Sequence, residues 1–170
     1  MPLPDLSALV ARLSPADAGE VLTLQLAAWV QEAHENETLD IPPLHETVAD
    51  VARDLADPRY TAWGVREAGR LLAMVRTSPL AGGRAAFVGR LGVVPDRQGE
   101  GLGAAVLAWA EDHVPDDVVR LELVTGARSR RNHVFYARQG YALVPGAVGP
   151  PGTVTFGKDR RVEGPHRAAG

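Results

Sequence analysis

A chain of 170 residues, 45% hydrophobic and 23% charged, has the size and mixture of one domain with a full core. A net charge of −3 excludes nucleic-acid binding by bulk charge, and the lack of cysteine excludes disulfides, thiolate metal sites and thiol catalysis. The opening MPLPDLSALVARLS has no basic segment leading into an apolar run, and no stretch approaches the ~20 apolar residues of a membrane span, so a cytoplasmic protein with no membrane partner is expected.

In chain order, LVARLS (Leu9 to Ser14) reads as a short strand. Ser14, Pro15 and Asp17 then give an N-cap, a proline at N1 and an approximate capping box for a helix. Leu22, Leu26, Trp29 and Ala33 recur at helical spacing and predict its buried face. Ile41-Pro42-Pro43 breaks the chain, and a second helix follows with Leu44, Val48, Val51 and Leu55 as its stripe.

From Tyr60 the period changes to that of strands. YTAWGV, a turn at REAGR and LLAMVR predict a hairpin. RAAFVGRLGVV, Arg84 to Val94, is a longer strand ended by Pro95. A glycine-rich stretch opens a third helix with Leu102, Val106, Trp109 and His113 as its stripe. VVRLELV is a strand, and SRRNHVFYARQG is a fourth helix with Gly140 at C′. YALV and GTVTFG close the fold as strands, and a polar tail runs from about residue 159. The order β-α-α-β-β-β-α-β-α-β-β predicts one α/β domain over residues 1–170, with a mixed sheet and helices on both faces.

The stretch PDRQGEGLGAAVLAWA raises the question of a phosphate site, because glycines at a helix start bring backbone N–H groups close to an anion. Gly99, Gly101 and Ala104 fit the dinucleotide fingerprint G-x-G-x-x-A, with Glu122 at about the distance of a ribose contact. That fingerprint needs its first glycine directly after the strand, and here Pro95 to Gln98 intervene. GTVTFGKD nearly matches the P-loop but has Asp159 where a hydroxyl should bind Mg²⁺, and its interior is strand-like.

A third spacing, Gln98-x-x-Gly101-x-Gly103 after LGVVP, resembles the central motif of the GNAT superfamily of N-acetyltransferases. A second motif, NHVFYARQGY from Asn132 to Tyr141, is similar to the helix-and-strand signature of the same family. The resemblance spans about residues 8–158, with the first two helices matching in order only. It implies a mixed, splayed sheet and acetyl-CoA as cosubstrate. The diphosphate of CoA would be held by Gln98, Gly99, Glu100, Gly101, Leu102, Gly103 and Ala104.

The resemblance also implies acetyl transfer to a primary amine by direct attack. Leu91, Gly92 and Val93 would offer backbone contacts to the pantetheine arm along a bulged strand. Tyr136 matches the family's general acid to the departing thiolate. The family's CoA-contacting asparagine commonly lies seven residues before that tyrosine, where this chain has Ser129. The contact is therefore divided between Asn132 and Ser129, which is also the expected N-cap of the fourth helix.

Glu122 is the candidate general base, its alternative being a pair with Arg120 or Arg128 at the strand end. Eight acids between Gln31 and Asp57 face only Arg53, whereas arginines gather around the two motifs. The acids suit a small cationic amine held by Glu32, Glu35 and Glu37; the arginines suit CoA phosphates. The five histidines have no metal-site spacing, and no metal is expected. A non-catalytic acyl-CoA-binding module on the same fold is the alternative reading. A homodimer is in keeping with the family.

Overall fold

The structure, a computed structural model, describes residues 9–160; the expected polar tail lies almost wholly outside them. Strand β1 (Val10–Arg12) leads through a one-turn 3-10 helix into α1 (Ala18–Asn36). The predicted cap is formed: Ser14 N–H and Oγ both donate to Asp17 Oδ2, at 2.8 and 3.0 Å. Helix α1 ends at Glu37, whose φ of 53° is left-handed.

Helix α2 (Val48–Ala56) starts later than its predicted stripe, because Pro42–Leu44 form a separate 3-10 turn. Thr47 caps it, with Asp50 N–H donating to Thr47 Oγ1 and the Thr47 hydroxyl and N–H returning to Asp50 Oδ2. Those bonds, led by the one from the Thr47 hydroxyl, hold the Asp50 carboxyl down at about 2.

The hairpin β2 (Thr61–Glu67) and β3 (Arg70–Pro79) and the strand β4 (Ala85–Val93) follow as expected. Then come α3 (Leu102–Asp112), β5 (Arg120–Gly126), α4 (Arg130–Arg138), β6 (Ala142–Leu143) and β7 (Thr153–Asp159). They form one open seven-stranded sheet in the order β1-β2-β3-β4-β5-β7-β6. Every neighbouring pair is antiparallel except β4 and β5, which are joined by the crossover helix α3.

The faces of that sheet can be read from two adjacent β4 residues. A Cβ on Gly92 would meet Trp29, Leu24 and Ala28 of α1, whereas Val93 meets Gly103 of α3. Successive strand residues point to opposite faces. So α1 covers one face and α3 the other, with Phe135 of α4 beside the start of α3. Leu72, Val65, Val106, Leu107, Leu121 and Leu123 fill the core between these layers. Each such burial contributes on the order of 1.5–3 kcal/mol.

Two predicted stripes are rotated. In α1 the buried residues are Ala18, Val21, Leu24, Gln25 and Ala33; Leu22 and Trp29 of the predicted stripe are partly buried against the core, while Leu26 is exposed. The cause is Gln25, whose Nε2 donates to Pro43 O at 2.8 Å and Glu46 Oε2 at 2.7 Å. Periodicity of apolar residues skips a buried amide that a neighbouring loop satisfies. In α3 the stripe turns toward Leu107 and Ala110, and the predicted His113 is exposed, stacked on Trp109 with ring centroids 4.1 Å apart.

Candidate active site

The parallel seam is short. β4 and β5 are in register only from Ala85–Arg120 to Phe87–Glu122. Beyond that point the strands part, and the C-terminal half of β4 is left unpaired on its β5 side. On its other side β4 carries a bulge: Met74 pairs with Gly92 and Arg76 with Gly89, so Val75 faces both Arg90 and Leu91. Arg90 absorbs the extra residue at φ 52°, and its guanidinium bonds to Glu46. The bulge and parting expected from the resemblance are therefore present. Gly92, however, is a glycine because of α1: a Cβ there would lie 2.7 Å from Trp29 Cζ3.

The glycine stretch sits at the mouth of this gap. Gly99 and Gly101 have φ of 84° and 86°, and Gly101 is the N-cap of α3. Only glycine adopts that region at low cost. The first bond within the helix is Ala105 N–H to Gly101 O, 3.0 Å, which leaves the N–H groups of Leu102, Gly103 and Ala104 without helical acceptors. Nothing lies within 4 Å of a Cβ placed on Gly99, so the loop is open to an approaching group. Gln98 braces it: Nε2 donates to Val93 O at 3.2 Å, and Oε1 accepts from Arg131 Nη1 at 2.9 Å. Arg130 and Arg138 line the same cleft and, among the described residues, have no acidic partner.

Helix α4 brings Asn132 and Tyr136, one turn apart, to the gap. Asn132 Nδ2 donates to Thr125 Oγ1 at 3.1 Å. The half-buried Tyr136 packs against Phe135, Tyr141 and Phe156. Among the described residues its hydroxyl has no hydrogen-bond partner. Burial pushes the phenol well above its ordinary range, and the charge of Glu32 adds to this. Tyr136 therefore keeps its proton across the physiological range and holds it at the edge of the cleft.

Glu32 arrives from α1. Its Oε1 accepts from Gly126 N–H at 2.8 Å, Thr125 Oγ1 at 3.0 Å and Ser129 Oγ at 3.3 Å. Asn36, one turn on, donates from Nδ2 to Ser129 Oγ at 2.7 Å and accepts Arg128 N–H at 3.1 Å. Gly126 makes room for it, since a Cβ there would fall 2.2 Å from Asn36 Nδ2.

One cleft of about 1180 Å³ contains most of the sequence-predicted residues: Glu32, Leu91–Val93, Gln98, Gly99, Gly101–Ala104, Asn132 and Tyr136. Ser129 is not one of them. It is fully buried, and its hydroxyl serves Glu32 and Asn36 rather than capping α4 or facing the cleft. Glu122 also lies elsewhere: Arg120 Nε bonds its Oε1 at 2.7 Å on the paired part of β5, the alternative weighed for it.

Glu100 is held outside the cleft by Arg97, at 2.8 and 2.9 Å. Glu37 pairs with Arg128 at 2.6 Å, and Glu35 faces Arg131 at 4.0 Å; neither lines the cleft. The acidic excess at the end of α1 is thus answered by Arg128 and Arg131 from across the chain. Thr125, Gly126, Asn36 and Trp29 shape the site without any motif to mark them. The i, i+4 spacing of Glu32 and Asn36 is the one local hint that they share a face.

A volume of this size exceeds the usual 300–1000 Å³ of a ligand pocket. A helix start with free N–H groups at one end, an unpaired strand edge in the middle and a protonated tyrosine beside it share this cleft. The sequence model of the Acetyltransferase (GNAT) family matches residues 23–141. The chain belongs to that family.

No curated protein sequence matches the chain. Among solved structures it is similar to an acetyltransferase of Thermus thermophilus, with TM-score 0.72 and 22% identity over 89% of this chain and 96% of that one. It is also similar to the PaiA N-acetyltransferase of Thermoplasma acidophilum in complex with coenzyme A, with TM-score 0.75 and 13% identity over 89% and 98%. The ribosomal-protein-S18-alanine N-acetyltransferase of Escherichia coli gives TM-score 0.70 and 17% identity over 92% and 96%. Similarity at this level establishes the mixed splayed fold. No described helix is long and apolar enough to cross a membrane, and the described residues hold no cluster of three or more potential metal ligands.

Proposed function

We propose that this protein transfers an acetyl group from acetyl-CoA to a primary amine, by direct attack of the amine with both substrates bound. The observation that carries this reading is the meeting, in one cleft, of the α3 start, the open edge of β4 and the Tyr136 hydroxyl. Bound acetyl-CoA would supply an acetyl carbon already activated as a thioester. The residues present fit it. The open Gly99 turn and the free N–H groups of Leu102–Ala104, at the positive end of the helix dipole, suit a diphosphate. Arg130 and Arg138 add charge at the rim.

The unpaired backbone of Leu91–Val93 offers donors and acceptors to an extended amide-bearing arm, as in strand addition. An unpaired N–H of this strand would donate to an oxygen that gains charge during transfer. Tyr136 holds the proton that a departing thiolate requires. Asn132 braces Thr125 on the opposite wall. The acceptor enters from the other end, between Glu32, Asp40 and the prolines at 42 and 43. Of the three acids first assigned to a cationic amine, Glu32 alone lines the cleft, and it supports that acceptor class.

Thiol release from acetyl-CoA across a panel of amines tests the reading. Turnover with at least one amine is expected, together with CoA-dependent thermal stabilisation that grows with ligand concentration. Stabilisation by CoA with no thiol release from any amine would favour a non-catalytic acyl-CoA-binding module.

A further inference from the structure

The geometry points to Glu32 as the proton acceptor for the substrate ammonium, an assignment that rests on the transfer reading above. Its two oxygens have different surroundings. Oε1 is fixed by three donors from the β5–α4 junction, while Oε2 has no partner among the described residues and belongs to a side chain that lines the cleft. A carboxylate anchored through one oxygen and open through the other is oriented rather than merely neutralised. It stands at the parted end of β4 and β5, close enough to Tyr136 for its charge to disfavour the tyrosinate. One cleft therefore contains a group that keeps its proton and a group that can take one.

Among the described residues, the other charged side chains lining the cleft have ionic partners, Arg130 and Arg138 excepted. Arg128 is paired with Glu37, Arg90 with Glu46, and Asp40 faces His45. Arg131 of α4 binds Gln98 and faces Glu35. His133 Nε2 is 2.9 Å from Gly126 O.

The proton count closes. The ammonium gives one proton to Glu32 Oε2, and the nitrogen lone pair freed by this forms the C–N bond at the acetyl carbon. The C–S bond breaks, its electron pair goes to sulfur, and sulfur takes the Tyr136 proton. The extra proton on the new amide nitrogen restores the tyrosine, and Glu32 releases its proton to solvent.

Glu32→Gln retains an oxygen for Gly126 and Thr125 but takes no proton. With an alkylamine of pKa ~10, only about one molecule in a thousand is free amine at pH 7. The variant should therefore lose roughly 10²- to 10³-fold in kcat/KM at pH 7. Its log(kcat/KM) should rise with unit slope toward the amine's own pKa, where the wild type is flat. CoA stabilisation should stay as in the wild type. His133→Gln should keep the flat wild-type profile.

Glu32→Asp keeps the charge and withdraws it by one methylene. It should lose more than tenfold in kcat without acquiring the sloping profile, which provides a second reading should the glutamine variant fold poorly. A flat profile and kcat/KM within twofold of wild type in Glu32→Gln, or full kcat in Glu32→Asp, would overturn the assignment and leave Glu32 a structural brace. Absence of turnover by the wild type with every amine would instead overturn the transfer reading itself.

Discussion

The two ends of the cleft are built in different ways. The phosphate end is contiguous: Gln98 to Ala104 form the turn, the cap and the free N–H groups within seven residues. The acceptor end is assembled from remote parts. Glu32 meets Thr125 and Gly126 across more than ninety residues, and Asn36 meets Ser129 across the same distance. One end is a local conformation that the sequence spells out. The other is a junction that exists only when α1 docks against the end of β5.

Substitutions at the two ends should therefore fail in different ways, and the largest effect is expected at the contiguous end. Gly101→Asp puts a side chain at φ 86° and a carboxylate where it would cap α3 itself, occupying the N–H groups an anion needs. CoA at a hundred times its wild-type Kd stabilises by about 2.7 kcal/mol. In this variant the rise in Tm should vanish; an undiminished rise would place the diphosphate elsewhere.

Next in size is Tyr136→Phe. The hydroxyl has no partner among the described residues, so its removal should spare the fold and CoA affinity while lowering kcat by about 10²- to 10⁴-fold. Full turnover would make the tyrosine a packing residue and leave the sulfur to another acid.

A moderate effect should come from Gly92→Ala, which tests the layer beneath both ends. The new methyl would press on Trp29, Leu24 and Ala28. Overpacking of this kind costs about 1–3 kcal/mol, read as a lower Tm. Trp29 lines the cleft, so amine KM should rise with it. An unchanged Tm would mean that α1 sits farther from β4 than the close contact implies.

The smallest effect is expected for Glu37→Gln. Its exposed partner Arg128 holds the carboxyl below its usual range, but the pair is open to water and screened by salt. Amine KM and Tm should match the wild type. A marked rise in KM would show that the acceptor reaches beyond the cleft wall to this helix end.

The sequence by itself determined the order of the elements, the β2–β3 hairpin, the capped start leading into α1, the glycine turn before α3 and the presence of Asn132 and Tyr136 on one helix face. Each of these depends on residues within about one or two turns of one another, where spacing translates directly into geometry. The rotation of α1 was decided by tertiary structure, because a loop satisfies the Gln25 amide and lets a polar residue be buried.

The use of the carboxylates was decided in the same way. Glu122 could face the gap or pair with Arg120; the register of β4 and β5 ends at that residue and leaves it in the paired zone. Ser129 looked like a cap and became an internal donor, because Glu32 and Asn36 reach it first. Glu35 and Glu37 looked like an acidic surface until folding set Arg131 and Arg128 against them. A charge acquires its role from what folding brings near it, and separations of ninety residues leave no trace in local spacing.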